Sequence, residues 1–210
     1  MTVKKSIDKL YSVFSLYEPP AKIKHFNCNH CVSDKDEDFL LNTPLKELDD
    51  NIFGLYFEAC NVGKFPSSNH KYFIPRLLEL LALEEPNKNF SFLEYFFACF
   101  SFYDYQNTFE KNEIITINDF FEAYLDRDFF AENADQDSHS IIFSSQAGFD
   151  VIPFLEKLKL QSEIFKDAKK EIELYFGYKK ENSNSVHYSN FEEWAKMGEM
   201  HKLILYLSEN

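Results

Sequence analysis

The chain has 210 residues, 45% of them hydrophobic, and a formal net charge of −13. That apolar share excludes a disordered chain, and five Gly with no glycine-rich phosphate loop argue against an all-β fold or a nucleotide fold. With Arg76 and Arg127 as its only arginines and a strong acidic balance, nucleic acid is excluded as the expected partner. The acidity is concentrated: residues 32–61 carry eight acids and two bases, and residues 104–137 carry ten acids and two bases.

Thr2 to Tyr17 reads as the first helix, because Ile7, Leu10, Tyr11, Phe14 and Tyr17 recur on one face, and Pro19-Pro20 ends it. Residues 18–43 read as irregular and hold a Cys/His cluster and the acidic run Asp34 to Asp38. Thr43-Pro44 predicts a helix to about Asn61, with a hydroxyl cap, Pro in the first turn and Glu47 near the start. A third helix is expected from Asn69 to Glu84, with Pro75 in its first turn or two. Ser91 to Tyr105 has Phe92, Tyr95, Phe96, Cys99, Phe100 and Tyr103 at helical spacing, aromatic enough to leave a strand as the alternative.

Ile114 to Ala131 is expected to be helical, capped by Thr116, with Phe120, Phe121, Tyr124 and Leu125 inward. Residues 132–147 read as a polar connector with a short extended piece at Ile141 to Phe143. Helices follow at Asp150 to Leu160 and Ser162 to Phe176, the second stopped by Gly177. After a loop, Ser189 caps a last helix to about Leu207, with Glu192 at the capping-box position. The expected fold is all-α: a globular bundle of seven or eight helices, with consecutive pairs HEAT-like in outline. It forms a single helical domain, 1–210, with a softer boundary near 132–147. No stretch is apolar enough to span a membrane, and no signal segment opens the chain, so a cytoplasmic location is expected.

The candidate metal site is His25, Cys28, His30 and Cys31. The CxxC spacing lets two thiolates reach one tetrahedral zinc, a histidine adds a third ligand, and a fourth would come from Cys60, His70 or elsewhere. A single CxxC lacks the second half that makes a zinc ribbon, so ordinary loop cysteines are the plainer reading and no cofactor is assigned. Asp137, Ser138 and His139 have the residue types of a hydrolytic triad, but neighbours in sequence do not form one in space, and no enzyme activity is expected.

Two resemblances bear on function. LYSVFSLYEPP, the Cys28 to Cys31 loop, TPLKEL and KYFIPRLLELL make residues 10–83 resemble a widespread family of uncharacterised bacterial proteins. These carry a Cys-rich loop followed by an FLPRxLEL-type helix, and GFDVIPFLEKL at 148–158 matches more loosely. That resemblance implies a helical fold and a bacterial cytoplasm, but no chemistry. In composition, being acidic, rich in Phe and Tyr and poor in Gly, the chain resembles immunity proteins that neutralise polymorphic toxins of contact-dependent inhibition or type VI systems. The resemblance implies a basic protein toxin domain as partner, met by charge and then by aromatic anchors. The expected contacts are Asp34, Asp36, Glu37 and Asp38 in one window and Asp126, Asp128, Glu132, Asp135 and Asp137 in the other. The alternatives are a zinc-binding protein built on the His25 to Cys31 loop, and a helical adaptor without catalytic activity.

Overall fold

The computed structural model describes residues 1–23, 33–49, 67–83, 100–101, 103–132, 134, 136–181 and 191–210. Among them are ten α-helices, eight of seven or more residues, and no strand. They are α1 (Val3–Phe14), α2 (Asp34–Asn42), α3 (Ser67–Leu83), α4 (Tyr105–Thr108), α5 (Lys111–Phe130), α6 (His139–Ala147), α7 (Ile152–Lys159), α8 (Ser162–Glu181), α9 (Phe191–Trp194) and α10 (Met200–Glu209). No helix among the described residues is long and apolar enough to cross a membrane.

Helix α1 starts on the Thr2 hydroxyl, which accepts from the Lys5 amide, and buries Ser6, Ile7, Leu10 and Phe14. That stripe packs on both α5 and α3. Helix α2 lies inside the segment read as irregular. Ser33 Oγ accepts from the Asp36 amide at 3.3 Å and Asp36 Oδ2 accepts from the Ser33 amide at 2.9 Å, a reciprocal cap that holds the first turn. Thr43-Pro44 closes α2, and no α-helix starts there among the described residues; residues 50–61 of the helix expected to Asn61 lie outside them. The Thr43 amide donates to Phe39 O, and only a single 3₁₀ turn, Leu45–Glu47, follows among the described residues.

Helix α3 begins two residues earlier than expected, so Pro75 sits in its middle. The helix continues although Pro75 cannot donate to Lys71 O, a defect worth about 3 kcal/mol in an isolated helix. Burial of Phe73, Ile74, Leu77, Leu78 and Leu81 on both sides of it offsets that cost. Helix α5 likewise starts before its expected cap. Thr116 is buried mid-helix and donates to Asn112 O at 2.7 Å.

The largest departure is α6. Residues 132–147 read as a connector, yet 140–147 are helical and every one is buried. A helix buried on all sides carries no amphipathic period to read. Two of its serines bond back along the chain, Ser144 Oγ donating to Ser140 O at 2.6 Å and Ser140 Oγ to Asp137 O at 2.7 Å. Gly148, at φ 103°, ends it, with the Phe149 amide returning to Ser144 O. Helix α6 packs on α5 and α10, while α7 packs on α8 and α10. At the C-terminal end the single helix expected from Ser189 is broken by a turn at 195–199, and α8 runs through Gly177 to Glu181 instead of stopping there.

Among the described residues, the aromatic side chains are mostly buried or half-buried. Phe73, Phe100, Tyr105, Phe120, Phe121, Phe129, Phe143 and Trp194 are among the most deeply buried side chains. They join one cluster running from Ile7 on α1 to Leu207 on α10. Edge-on pairs such as Phe120–Phe121 at 5.6 Å and Phe129–Phe154 at 5.4 Å suit the quadrupole of the rings.

Candidate protein-binding surface

The described part of the first acidic window, residues 33–49, keeps most of its acids at the surface. Asp34, Asp36 and Glu37 occupy the first turn of α2, where the helix dipole favours negative charge, and Asp38 follows. Asp34 and Asp38 are exposed. Asp36 and Glu37 are partly engaged. Asp36 Oδ2 also accepts from Ser33 Oγ at 2.7 Å, and Glu37 Oε1 accepts from the Ile23 amide at 2.7 Å, tying α2 to the segment after α1. Next to Asp38, Phe39 is 43% exposed, an aromatic ring standing beside the acids.

Five of the ten acids in the second window are engaged with bases within the molecule. Asp119 pairs with Lys9 at 2.6 Å, Asp126 with Lys157 at 2.6 Å, Asp128 with Arg127 at 2.7 Å, and Asp137 with His139 at 2.8 Å. Glu113 pairs with Lys71 at 2.7 Å. Lys9, Lys71 and Lys157 lie far outside the window in sequence, so a count along the chain overstates the charge this region shows to solvent. Glu132 is exposed. Asp135 lies outside the described residues, as do His25, Cys28, His30, Cys31, Cys60 and Cys99. Among the described residues no group of three His, Cys, Asp or Glu is placed to hold a metal ion.

Asp137 and His139 do meet, but the hydroxyls of the neighbouring Ser138 and Ser140 are directed elsewhere. Ser138 Oγ donates to Glu171 at 2.7 Å and Ser140 Oγ donates to Asp137 O at 2.7 Å.

Sequence reading missed one buried constellation, formed by Lys71, Glu113 and Tyr17. Lys71 Nζ lies 2.7 Å from Glu113 Oε2 and donates to Tyr17 Oη at 3.0 Å, while Tyr17 donates in turn to Glu113 Oε1. The Lys71 ammonium also sits 4.3 Å from the Phe109 ring centre. This triad joins the end of α1 to α3 and α5. A signal was present: Lys71 is in phase with Ile74 and Leu78, and Glu113 with Ile117, Phe120 and Tyr124, so each places a charge on an apolar stripe.

His70, next to Lys71, is wholly buried. Its ring stacks on Tyr103 at 4.6 Å and meets Phe100 edge-on at 5.0 Å. Burial pushes its pKa down to about 3, so it is neutral in the folded chain at ordinary pH. The depressed value means its stabilisation is whole above the unfolded value of 6.5 and is lost as pH falls toward 3. Between those limits the loss should approach about 1.4 kcal/mol per pH unit. Urea denaturation at pH 7 and pH 5 should show that slope in the wild type and a shallower one in His70→Phe. Equal slopes in the two proteins would remove His70 as the cause.

The chain matches no protein-family model, no curated protein and no solved structure.

Proposed function

We propose that the chain is an immunity protein that binds and neutralises a basic protein toxin domain, with α2 as the centre of the contact. The observation that supports this reading most directly is the pairing of charge and ring on α2. Four acids and one base fill Asp34 to Asp38, and Phe39 stands exposed directly after them. Acids at the surface steer a basic partner into encounter, and an aromatic side chain supplies the area that slows its release. The second window contributes long-range field more than contact, because Asp126, Asp128 and Asp137 are already held by Lys157, Arg127 and His139. Glu132 is exposed and reaches outward, as do Asp104, Glu110 and Glu122 of the same window.

The test is binding of the purified chain to the product of the neighbouring gene, with association rates measured across salt. Raising NaCl from about 50 to 300 mM should slow association tenfold or more. Asp34→Lys/Asp38→Lys should slow it by about tenfold and flatten the salt dependence, while Phe39→Ala should act on dissociation. Asp126→Asn should change little, since an exposed paired carboxylate carries under about 1 kcal/mol. Absence of binding, or binding indifferent to salt and to the α2 reversals, rejects the reading.

A further inference from the structure

Helix α8 has two faces of different character. Phe165, Ala168 and Ile172 are buried on one. On the other, Lys170, Leu174, Gly177 and Glu181 are all exposed and recur at intervals of four, three and four residues, the spacing of a helix seam. Leu174 is 65% exposed, with Tyr178 beside it at 59%.

Gly177 is the informative residue of this seam. It lies inside the helix and its φ is not positive, so no turn requires it. A Cβ placed there would meet nothing within 4 Å, so no contact within the chain requires it either. A glycine in an exposed helix interior costs about 1 kcal/mol relative to alanine. The close approach of a second helix would account for it.

Charge identifies the occupant. Helix α8 carries five acids and five bases, in a chain whose formal charge is −13. Two copies of so acidic a molecule repel over most orientations and least where a neutral face meets a neutral face. A basic partner is drawn to the acidic surface instead. We propose that α8 pairs antiparallel with α8 of a second copy of this chain about a two-fold axis. In that register Leu174 enters the notch at the partner's Gly177, and Lys170 faces the partner's Glu181. Each contact occurs twice, as an isologous interface demands. Neither Lys170 nor Glu181 has an ion-pair partner among the described residues. A single helix crossing covers less than the roughly 800 Å² per partner of a standard interface, so the pairing is weak and reversible, with Kd on the order of 100 µM.

Sedimentation velocity of the full chain, from about 10 µM to 1 mM, tests this. Wild type should shift from monomer toward dimer across that range, and Leu174→Asp should remain monomeric. Lys170→Glu and Glu181→Lys should each weaken pairing about tenfold, and the double variant should restore it. Gly177→Ala should divide the readouts, raising the melting temperature of the dilute monomer while weakening the dimer. All these positions are exposed, so unchanged circular dichroism verifies the fold of each variant. A monomer up to 1 mM overturns the proposal, as does a dimer indifferent to Leu174→Asp. Loss of a basic partner's binding in Leu174→Asp, without any self-association in the wild type, places a foreign protein on α8 and overturns it equally. The sedimentation results do not depend on whether the chain binds a toxin.

Discussion

Gly198→Ala is expected to be among the most damaging single-methyl changes available in this protein. Gly198 lies in the turn between α9 and α10 at φ 49°, where any other residue pays about 1–2 kcal/mol for the left-handed backbone. A Cβ there would also lie 2.5 Å from Gln146 O and 2.6 Å from both Ser145 O and Gly148 N. These are backbone atoms of the end of α6, a helix buried on all sides, and they cannot swing aside as a side chain would. The Glu199 amide, donating to Ser145 O at 2.9 Å, stitches the same turn to that end, and the Gly198 amide donates to Ser101 Oγ at 2.7 Å elsewhere in the chain. Relieving the clash means moving α10 off α6. The expected cost is on the order of 4 kcal/mol, a fall in melting temperature of roughly 8–16 °C for a chain of this size. Gly148→Ala is the control. Its φ of 103° is equally unfavourable, but its Cβ would meet only the Tyr105 ring, at 3.4 Å. If urea unfolding shows Gly198→Ala to be no worse than Gly148→Ala, the close seating of this turn on α6 is not what holds the C-terminal helix.

The described glycines show how unevenly the sequence announces the fold. Gly177 follows an apolar period and reads as a helix stop, yet it is an ordinary helical residue. Gly198 interrupts what reads as one continuous helix, and there the stop is real. Only packing separates the two, because α6 approaches one position and leaves the other open. Helices with one apolar stripe, α1 and α5, were legible to within a few residues. Helix α6 was not, since burial on every side erases the period and the polar run before it imitates a connector. Helix α2 was legible in principle: Ser33 and Asp36 have the same cap spacing that was read at Ser189 and Glu192, but the dense charge after Ser33 masks it. The acidic windows were visible as composition, and only the fold reveals which acids are spent. Asp119 meets a lysine 110 residues away and Asp126 one 31 residues away, pairings that no local count anticipates.

Lys71→Met is the second substitution expected to act strongly, and its effect should depend on what remains opposite. Lys71 and Glu113 are 9% and 3% exposed at the side chain, so removing the ammonium leaves a carboxylate buried against Tyr17 and the Glu110 amide. Breaking one side of such a pair costs about 3–5 kcal/mol, although the intact pair adds little over an apolar replacement. Lys71→Met/Glu113→Leu should therefore recover most of the single variant's loss. A double variant as unstable as the summed singles would show that the charges stabilise α1, α3 and α5 in their own right. Alkaline titration gives an independent view. Burial alone would lower Lys71, but Glu113 and Tyr17 outweigh it and hold the ammonium above its ordinary value of 10.5. Burial, and then the Glu113 hydrogen bond, hold the Tyr17 phenol above its ordinary 10.0. Both groups keep their protons more tightly folded than unfolded. Their stabilisation is whole below about pH 10 and is lost as pH rises through the folded values. Wild-type stability should thus fall above pH 10, and it should fall less steeply in Lys71→Met/Tyr17→Phe, because the unfolded chain of that variant no longer gains by releasing those two protons.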